Sequence, residues 1–420
     1  MSIPKYKRIT CILLISLPLL LSAEEATKSG YENTTPLEGP DGVAAELAAD
    51  DVKVDSVFRP LGGFFQPWYA LKREWNEQYG LQLGFSYNAM YQYADESLTG
   101  IDDGAAGRFQ AQAMWNLVDR NGKNPGYLSV RVEDRHKLGT EIPASQVGQQ
   151  FGSVNVTGAG FSEFDWAVTE LAWRQTALDG KMKFGFGKIS AVSWYNVHPL
   201  SGALGGFVNS SIRASGTKPN VGRGLGALTG FHLNPKTVML AGVHDANAKT
   251  SENPFDTIDE GEFYYSVEFR YLPSRFEKRQ YDQVRMQLWY VDDTKDGTVD
   301  SGYGAALTAS YLLDNNVMPF MSAGYSEGSG AFVDLDATLG LSYSFKREHH
   351  ASRDLLALGV NWANPSDHSK FDQITTEAFY KVQLFQNFAF TPSVQYIHNP
   401  SYHPDEVGVW LVGARGRLTF

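Results

Sequence analysis

The stretch VWLVGARGRLTF, Val409–Phe420, closes the sequence on an aromatic residue. Taken two residues at a time, Trp410, Val412, Ala414, Gly416, Leu418 and Phe420 fall on one face, and Val409, Leu411, Gly413, Arg415, Arg417 and Thr419 on the other. A period of two is that of a β-strand; one face is apolar and the other turns cationic towards the end. Such a strand exposes an unpaired edge unless another strand covers it. A partner must therefore lie elsewhere in the chain.

The same alternation runs from Leu81 onward. In RFQAQAMWNL, Phe109, Ala111, Ala113, Trp115 and Leu117 oppose Arg108, Gln110, Gln112, Met114 and Asn116. In YLSVRVED, Leu128, Val130 and Val132 oppose Ser129, Arg131 and Glu133, and EFYYSVEFRY sets Phe263, Tyr265, Val267, Phe269 and Tyr271 against Tyr264, Ser266, Glu268 and Arg270. A water-soluble sandwich also alternates. Here, however, the apolar faces carry rings at strand ends, as interfacial girdles do, and the polar faces carry charges in mid-strand. Connections alternate short, as at residues 119–126, 178–180, 233–236, 313–316 and 385–387, and long, as at 96–105, 138–164, 191–221, 247–260, 294–300, 326–330, 364–370 and 399–406. About sixteen antiparallel strands of roughly ten residues result, an all-β transmembrane barrel of porin size spanning 81–420. The free edge of the last strand then pairs with the first, near Leu81, and places Phe420 at the periplasmic rim.

The N-terminus reads as a secretory signal over residues 1–23: a basic start with Lys5, Lys7 and Arg8, an apolar run from Ile12 to Leu21, and LSA before the acidic EEA. The single cysteine, Cys11, lies inside it, so the exported chain has no disulfide framework and no thiolate site. Removing the signal takes the net charge from −11 to −14, which disfavours nucleic acid as a partner. Residues 24–65 are acidic and rich in small residues and read as a flexible periplasmic leader. Residues 66–80 hold helix formers after Pro67 and stop at Gly80, the pattern of a short periplasmic helix. No later apolar run reaches the length of a spanning helix, so a membrane location requires a barrel.

Signals for catalysis and cofactors are weak. Gly222–Ala227, GRGLGA, satisfies the dinucleotide spacing but follows a loop and leads into an alternating segment rather than opening a helix. His349 and His350 sit in a basic turn, and His232 and His244 on neighbouring strands, without zinc-ligand spacing. The hydroxyls of Ser210 and Ser211, in NSS (209–211), have no matching His-bearing motif for a hydrolase. No enzyme, no cofactor and no metal is expected.

The informative signal is charge on the inner face. Arg108, Arg131, Glu133, Arg135, Glu170 and Arg174 point inward on consecutive strands. Arginine beside glutamate supplies fixed donors and acceptors, which suits the paired hydroxyls of a sugar; mutual neutralisation across a wet wall is the plainer alternative. Trp194 and Tyr195, in the long loop 191–221, could present a ring to the apolar face of a pyranose if that loop folds inward, or serve only the loop's own packing.

The second half resembles the carbohydrate-selective porin family, OprB type, in FVNSSI, AGVHDAN, YYSVEFRYLP, MPFMSAGYSEGSGA, LLALGVNWANPS, TTEAFYKVQLFQNFAFTPSVQYIHNPSYHPDE and the ending VWLVGARGRLTF. The closing segment from Glu377 carries the resemblance most strongly, and it extends faintly back to about Trp68. It implies a monomeric sixteen-stranded channel in the Gram-negative outer membrane that passes monosaccharides such as glucose. Arginines and an acidic residue would line its constriction, with Glu170, in EFDWAVTELAWRQ, as the family's glutamate. Outer-membrane lipids and the barrel assembly machinery are then the partners, with Phe420 as the assembly signal. The leader before residue 65 departs from the family. A general diffusion porin without sugar selectivity and a secreted all-β carbohydrate-binding protein are the competing readings.

Overall fold

In the computed structural model of the protein, the described residues are 37–50, 57–58, 65–219, 221–274, 279–295, 297, 299–313, 316–345 and 354–420. The expected signal peptide, with Cys11, and the pair His349–His350 lie outside them. Sixteen strands form a closed antiparallel barrel in which each strand pairs with its neighbours in sequence and the last pairs with the first. The first eight are β1 (Leu81–Ala94), β2 (Asp103–Val118), β3 (Gly126–Lys137), β4 (Phe164–Ala177), β5 (Met182–Ser190), β6 (Arg223–Asn234), β7 (Thr237–Asp245) and β8 (Phe263–Tyr271). The second eight are β9 (Gln283–Val291), β10 (Gly302–Ser310), β11 (Val317–Gly328), β12 (Val333–Ser344), β13 (Leu355–Pro365), β14 (Gln373–Phe385), β15 (Phe388–His398) and β16 (Gly408–Thr419).

Alternation decides which way each side chain points. On β2 the face with Arg108, Gln110 and Gln112 is buried in the lumen, while Trp115 and Leu117 look outward. The outer surface is apolar: Leu339 is 65% and Trp166 64% exposed, values that only a hydrocarbon surrounding makes favourable. Rings gather at both ends of this band. Tyr265 with Tyr290 (6.3 Å) and Tyr396 with Trp410 (4.6 Å) lie at the long-loop end, and Tyr343, Phe345 and Tyr380 pack edge to face at the short-turn end. Among the described residues no helix is long and apolar enough to cross a membrane; the strands do so.

The expected partner of the last strand is β1. The ladder runs from Ser86 opposite Thr419 to Ala94 opposite Leu411. Phe85 and Phe420 extend it by exchanging both backbone hydrogen bonds, each 2.9 Å. The Phe420 ring stacks between Phe85 (6.0 Å) and Phe65 (6.4 Å).

Two helices precede the barrel, α1 (Val43–Asp50) and α2 (Gln66–Tyr79). Helix α2 starts with proline in its first turn and ends at Gly80 (φ 70°), a left-handed cap that glycine adopts without strain. Arg120, from the β2–β3 turn, donates to the carbonyl of Gln78 (3.1 Å), satisfying a group the helix leaves unpaired. Helix α1 corrects the expectation for the leader. Residues 37–50 do not form a featureless linker; Val43 and Leu47 are almost fully buried inside the barrel. The acidic composition that suggested disorder is matched by arginines distant in sequence.

Deleting Phe420 removes two backbone hydrogen bonds and leaves the groups of Phe85 unpaired at the barrel lip. A loss of about 2–4 kcal/mol is expected, at about 1–2 per orphaned group. Heat-modifiable gel migration checks it: the truncated barrel should convert to the unfolded form at a lower temperature, and an unchanged transition refutes the role.

Candidate functional site

The six inward charges expected from the sequence line one wall of the lumen, on β2, β3 and β4, and all are buried. Glu133 is the hub. Its carboxylate accepts from Arg135 Nη2 (2.6 Å), Arg223 Nη1 (2.8 Å), Arg108 Nη2 (3.3 Å) and Thr169 Oγ1 (2.9 Å). A carboxylate surrounded by three guanidinium groups fixes all three and cancels part of their charge.

Further along the ladder, Arg131 stands opposite Glu170. Glu170 accepts from Ser129 Oγ (2.5 Å) and pairs with Arg174. A register shift beside Arg131 bulges β4, so that Thr169 and Glu170, adjacent in sequence, both turn into the lumen. Strict alternation would have sent one of them to lipid.

The loop between β5 and β6, residues 191–222, crosses the lumen. Its backbone amides are caught by carboxylates on successive parts of the wall: Asn196 N by Glu268 on β8 (2.5 Å), Gly216 N by Asp336 on β12 (2.7 Å), and Asn209 N by Glu377 on β14 (2.8 Å). The short helix Ser210–Arg213 within it is packed under β13, where Gly359 leaves room for Ile212 and Phe207. His198 stacks on Phe320 (4.5 Å), with Nε2 donating to the carbonyl of Ile212 (2.8 Å) and Nδ1 accepting from Leu200 N (3.2 Å). Burial holds its imidazole down to about 4, so it is neutral at pH 7.

Trp194 and Tyr195 are not presented to the channel axis as free platforms. The Trp194 ring lies 5.0 Å from the Arg174 guanidinium, and its carbonyl accepts from Arg270 (2.6 Å). Tyr195 is 1% exposed, and its hydroxyl is 3.3 Å from His244 Nε2 on β7. Both residues anchor the loop to the wall. Gly222–Ala227 runs into β6 and opens no helix. Among the described residues no group of His, Cys, Asp or Glu is arranged to hold a metal.

Residues 271–420 match the family model described as carbohydrate-selective porin, OprB family. The second half of the barrel carries the OprB pattern. The fold agrees: the high-pH structure of Pseudomonas putida OprB superposes with a TM-score of 0.68 at 14% identity, covering 84% of this chain and 97% of that one. Its low-pH structure gives 0.50 at 12% identity with the same coverage. A mutant of the Rh. blastica porin gives 0.51 at 10% identity, covering 81% of this chain and all of that one. No curated protein matches the chain. The matched segment and the superpositions agree on a porin-type closed barrel.

Within this barrel, four carboxylates from the N-terminal segment reach arginines of the wall and of the inward loop, a feature the sequence did not announce. Glu38 pairs with Arg174 (2.6 Å), Asp41 with Arg213 (2.7 Å), Glu46 with Arg131 (3.2 Å) and Asp50 with Arg417 (3.2 Å). Burial pushes the Glu38 and Glu46 carboxyls up from their ordinary range, against the pull of Arg174 and Arg131. The acids Glu268, Asp336 and Glu377 were also missed as loop anchors, although each sits at an inward position of a regular strand, where an acid stands out.

Replacing Glu133 by Gln keeps the shape and removes the shared charge of the hub. The barrel should lose about 3–5 kcal/mol, the cost of breaking a buried pair from one side. Chemical unfolding in detergent measures the loss, and a difference below about 1 kcal/mol would show that the hub behaves as solvated surface charge.

Proposed function

We propose that the protein is an outer-membrane porin for passive diffusion of carbohydrates, monosaccharides such as glucose among them. The observation that carries the reading is a closed sixteen-strand barrel with an OprB-type second half and an inner wall on which arginine donors stand beside glutamate acceptors. A sugar hydroxyl both donates and accepts, so one pyranose edge can bridge an arginine and a carboxylate that otherwise serve each other. Exchange of this kind is weak, since a hydroxyl that takes a paired arginine or carboxylate displaces a hydrogen bond within the wall. Weak, repeated interactions let the solute enter and leave without an energy source.

Arg108, Arg131, Glu133, Arg135, Glu170 and Arg174 are the constriction residues in this reading. Trp194 contributes by holding Arg174 in place and Tyr195 by fixing the loop. Residues 1–23 direct export and are then removed, insertion brings the short turns to the periplasmic side, and Phe420 serves the assembly machinery. The barrel works as a monomer within outer-membrane lipid. A general diffusion pore remains the second reading because the same wall charges neutralise one another.

Liposome swelling separates the two. Glucose should enter faster than an amino acid of matched size, and a disaccharide more slowly than its size alone dictates; equal rates for equal sizes would defeat the sugar assignment. Arg131→Ala should lower the preference for glucose while leaving a heat-modifiable barrel, and an unaltered preference would remove Arg131 from the site.

A further inference from the structure

Residues 37–50 traverse the bore. At one end Asp50 pairs with Arg417 on β16; at the other, the carbonyl of Leu37 accepts from Arg270 on β8, halfway round the barrel. Between them every carboxylate of the segment has its own arginine: Glu38 with Arg174, Asp41 with Arg213, Glu46 with Arg131, Asp50 with Arg417. Arg213 belongs to the loop between β5 and β6, so the segment also ties that loop to the wall. Gly39 N donates to Ser193 O in the same loop (2.7 Å).

The wall is shaped for this occupant. A Cβ on Gly84 of β1 would lie 2.6 Å from Leu47 Cδ2, and one on Gly230 of β6 would lie 2.4 Å from Leu37 Cδ1. Each glycine leaves the space that an apolar side chain of the segment fills. Leu47 is 1% and Val43 0% exposed. Charge complementarity and steric fit are independent observations, and both select the same segment.

We infer that residues 37–50 are an intramolecular ligand of the lumen arginines: a tethered acidic plug that keeps the channel narrow, and whose departure exposes an arginine-lined path favouring anionic, carboxylate-bearing solutes. The inference rests on the barrel being a channel and is independent of which neutral sugar it passes. When the plug leaves, Arg131, Arg213 and Arg417 lose the carboxylates they pair with and Arg174 keeps only Glu170, so the open bore is more cationic than the closed one. Small anions then compete with the plug for the same guanidinium groups. The Asp41–Arg213 and Asp50–Arg417 pairs are partly open to water, and there mobile ions compete most readily with the segment.

Planar-bilayer conductance in potassium chloride tests this on four forms of the full barrel: the unaltered protein, one lacking residues 37–50, the charge variant E38Q/D41N/E46Q/D50N, and the cysteine pair L47C/G84C. Heat-modifiable migration first establishes that each is folded. The deletion and the charge variant should conduct several-fold more than the unaltered protein, with reversal potentials shifted towards chloride. The oxidised cysteine pair should stay at the low level and return to the unaltered behaviour on reduction. Equal conductance in the unaltered, deleted and charge-variant forms overturns the plug, as does an oxidised pair that conducts like the deletion. Absence of conductance in every form, with folding intact, would instead overturn the channel reading on which the plug depends.

Discussion

The structure depends on one constraint: a backbone N–H or C=O facing hydrocarbon must find a partner within the protein, because lipid offers none. Sixteen antiparallel strands meet it only if the last returns to the first. The β1–β16 ladder is therefore the contact on which the whole cylinder rests, and Phe420 with Phe85 completes it at the rim. Closure also fixes polarity. Once one face of every strand belongs to lipid, the other must hold all the polar chemistry of the protein, and the lumen becomes crowded with groups that need partners.

That crowding is resolved by pairing arginine with carboxylate at several levels. On the wall, Glu133 gathers Arg108, Arg135 and Arg223. Across the bore, Glu268, Asp336 and Glu377 each accept from backbone amides of a loop, which positions a long excursion at three separate points of the wall. From the N-terminus, the segment around α1 brings four more acids to the arginines. The same chemistry thus builds the wall, the inward loop and the segment lying across them, in order of decreasing covalent constraint.

The period of two in residues such as Arg108–Leu117 and Phe263–Tyr271 made the barrel and the inward face legible in the sequence, because alternation is a local property of a single strand. Loop positions were legible for the same reason: the excursion expected over 191–221 occupies 191–222. What the sequence hid is non-local. The bulge at Thr169 arises from the register of β4 against β3, and no feature of FDWAVTELAWRQ by itself shows which residue is the extra one. Trp194 and Tyr195 looked like ring platforms because their composition is that of a sugar contact, yet Arg174, Arg270 and His244 decide where they point. The leader looked disordered because a stretch as short as VAAELAAD cannot hold a helix alone in water, and the partners of its segment lie at positions 131, 174, 213 and 417.

An acidic segment that is weakly helical by itself and strongly matched by remote arginines has a consequence for how it is held. Its apolar burial comes from Leu37, Val43 and Leu47, while each of its carboxylates meets an arginine brought from elsewhere in the chain. Charge is also what defines the passage it occupies, since Arg131 and Arg174 serve both the wall and the segment. In the proposed channel, occupancy of the bore and affinity for a passing solute draw on the same guanidinium groups. A mutation that strengthens one must alter the other, whereas the glycine seats at Gly84 and Gly230 set only the shape of the fit. In the proposed channel, selectivity and closure are two readouts of the same arginines.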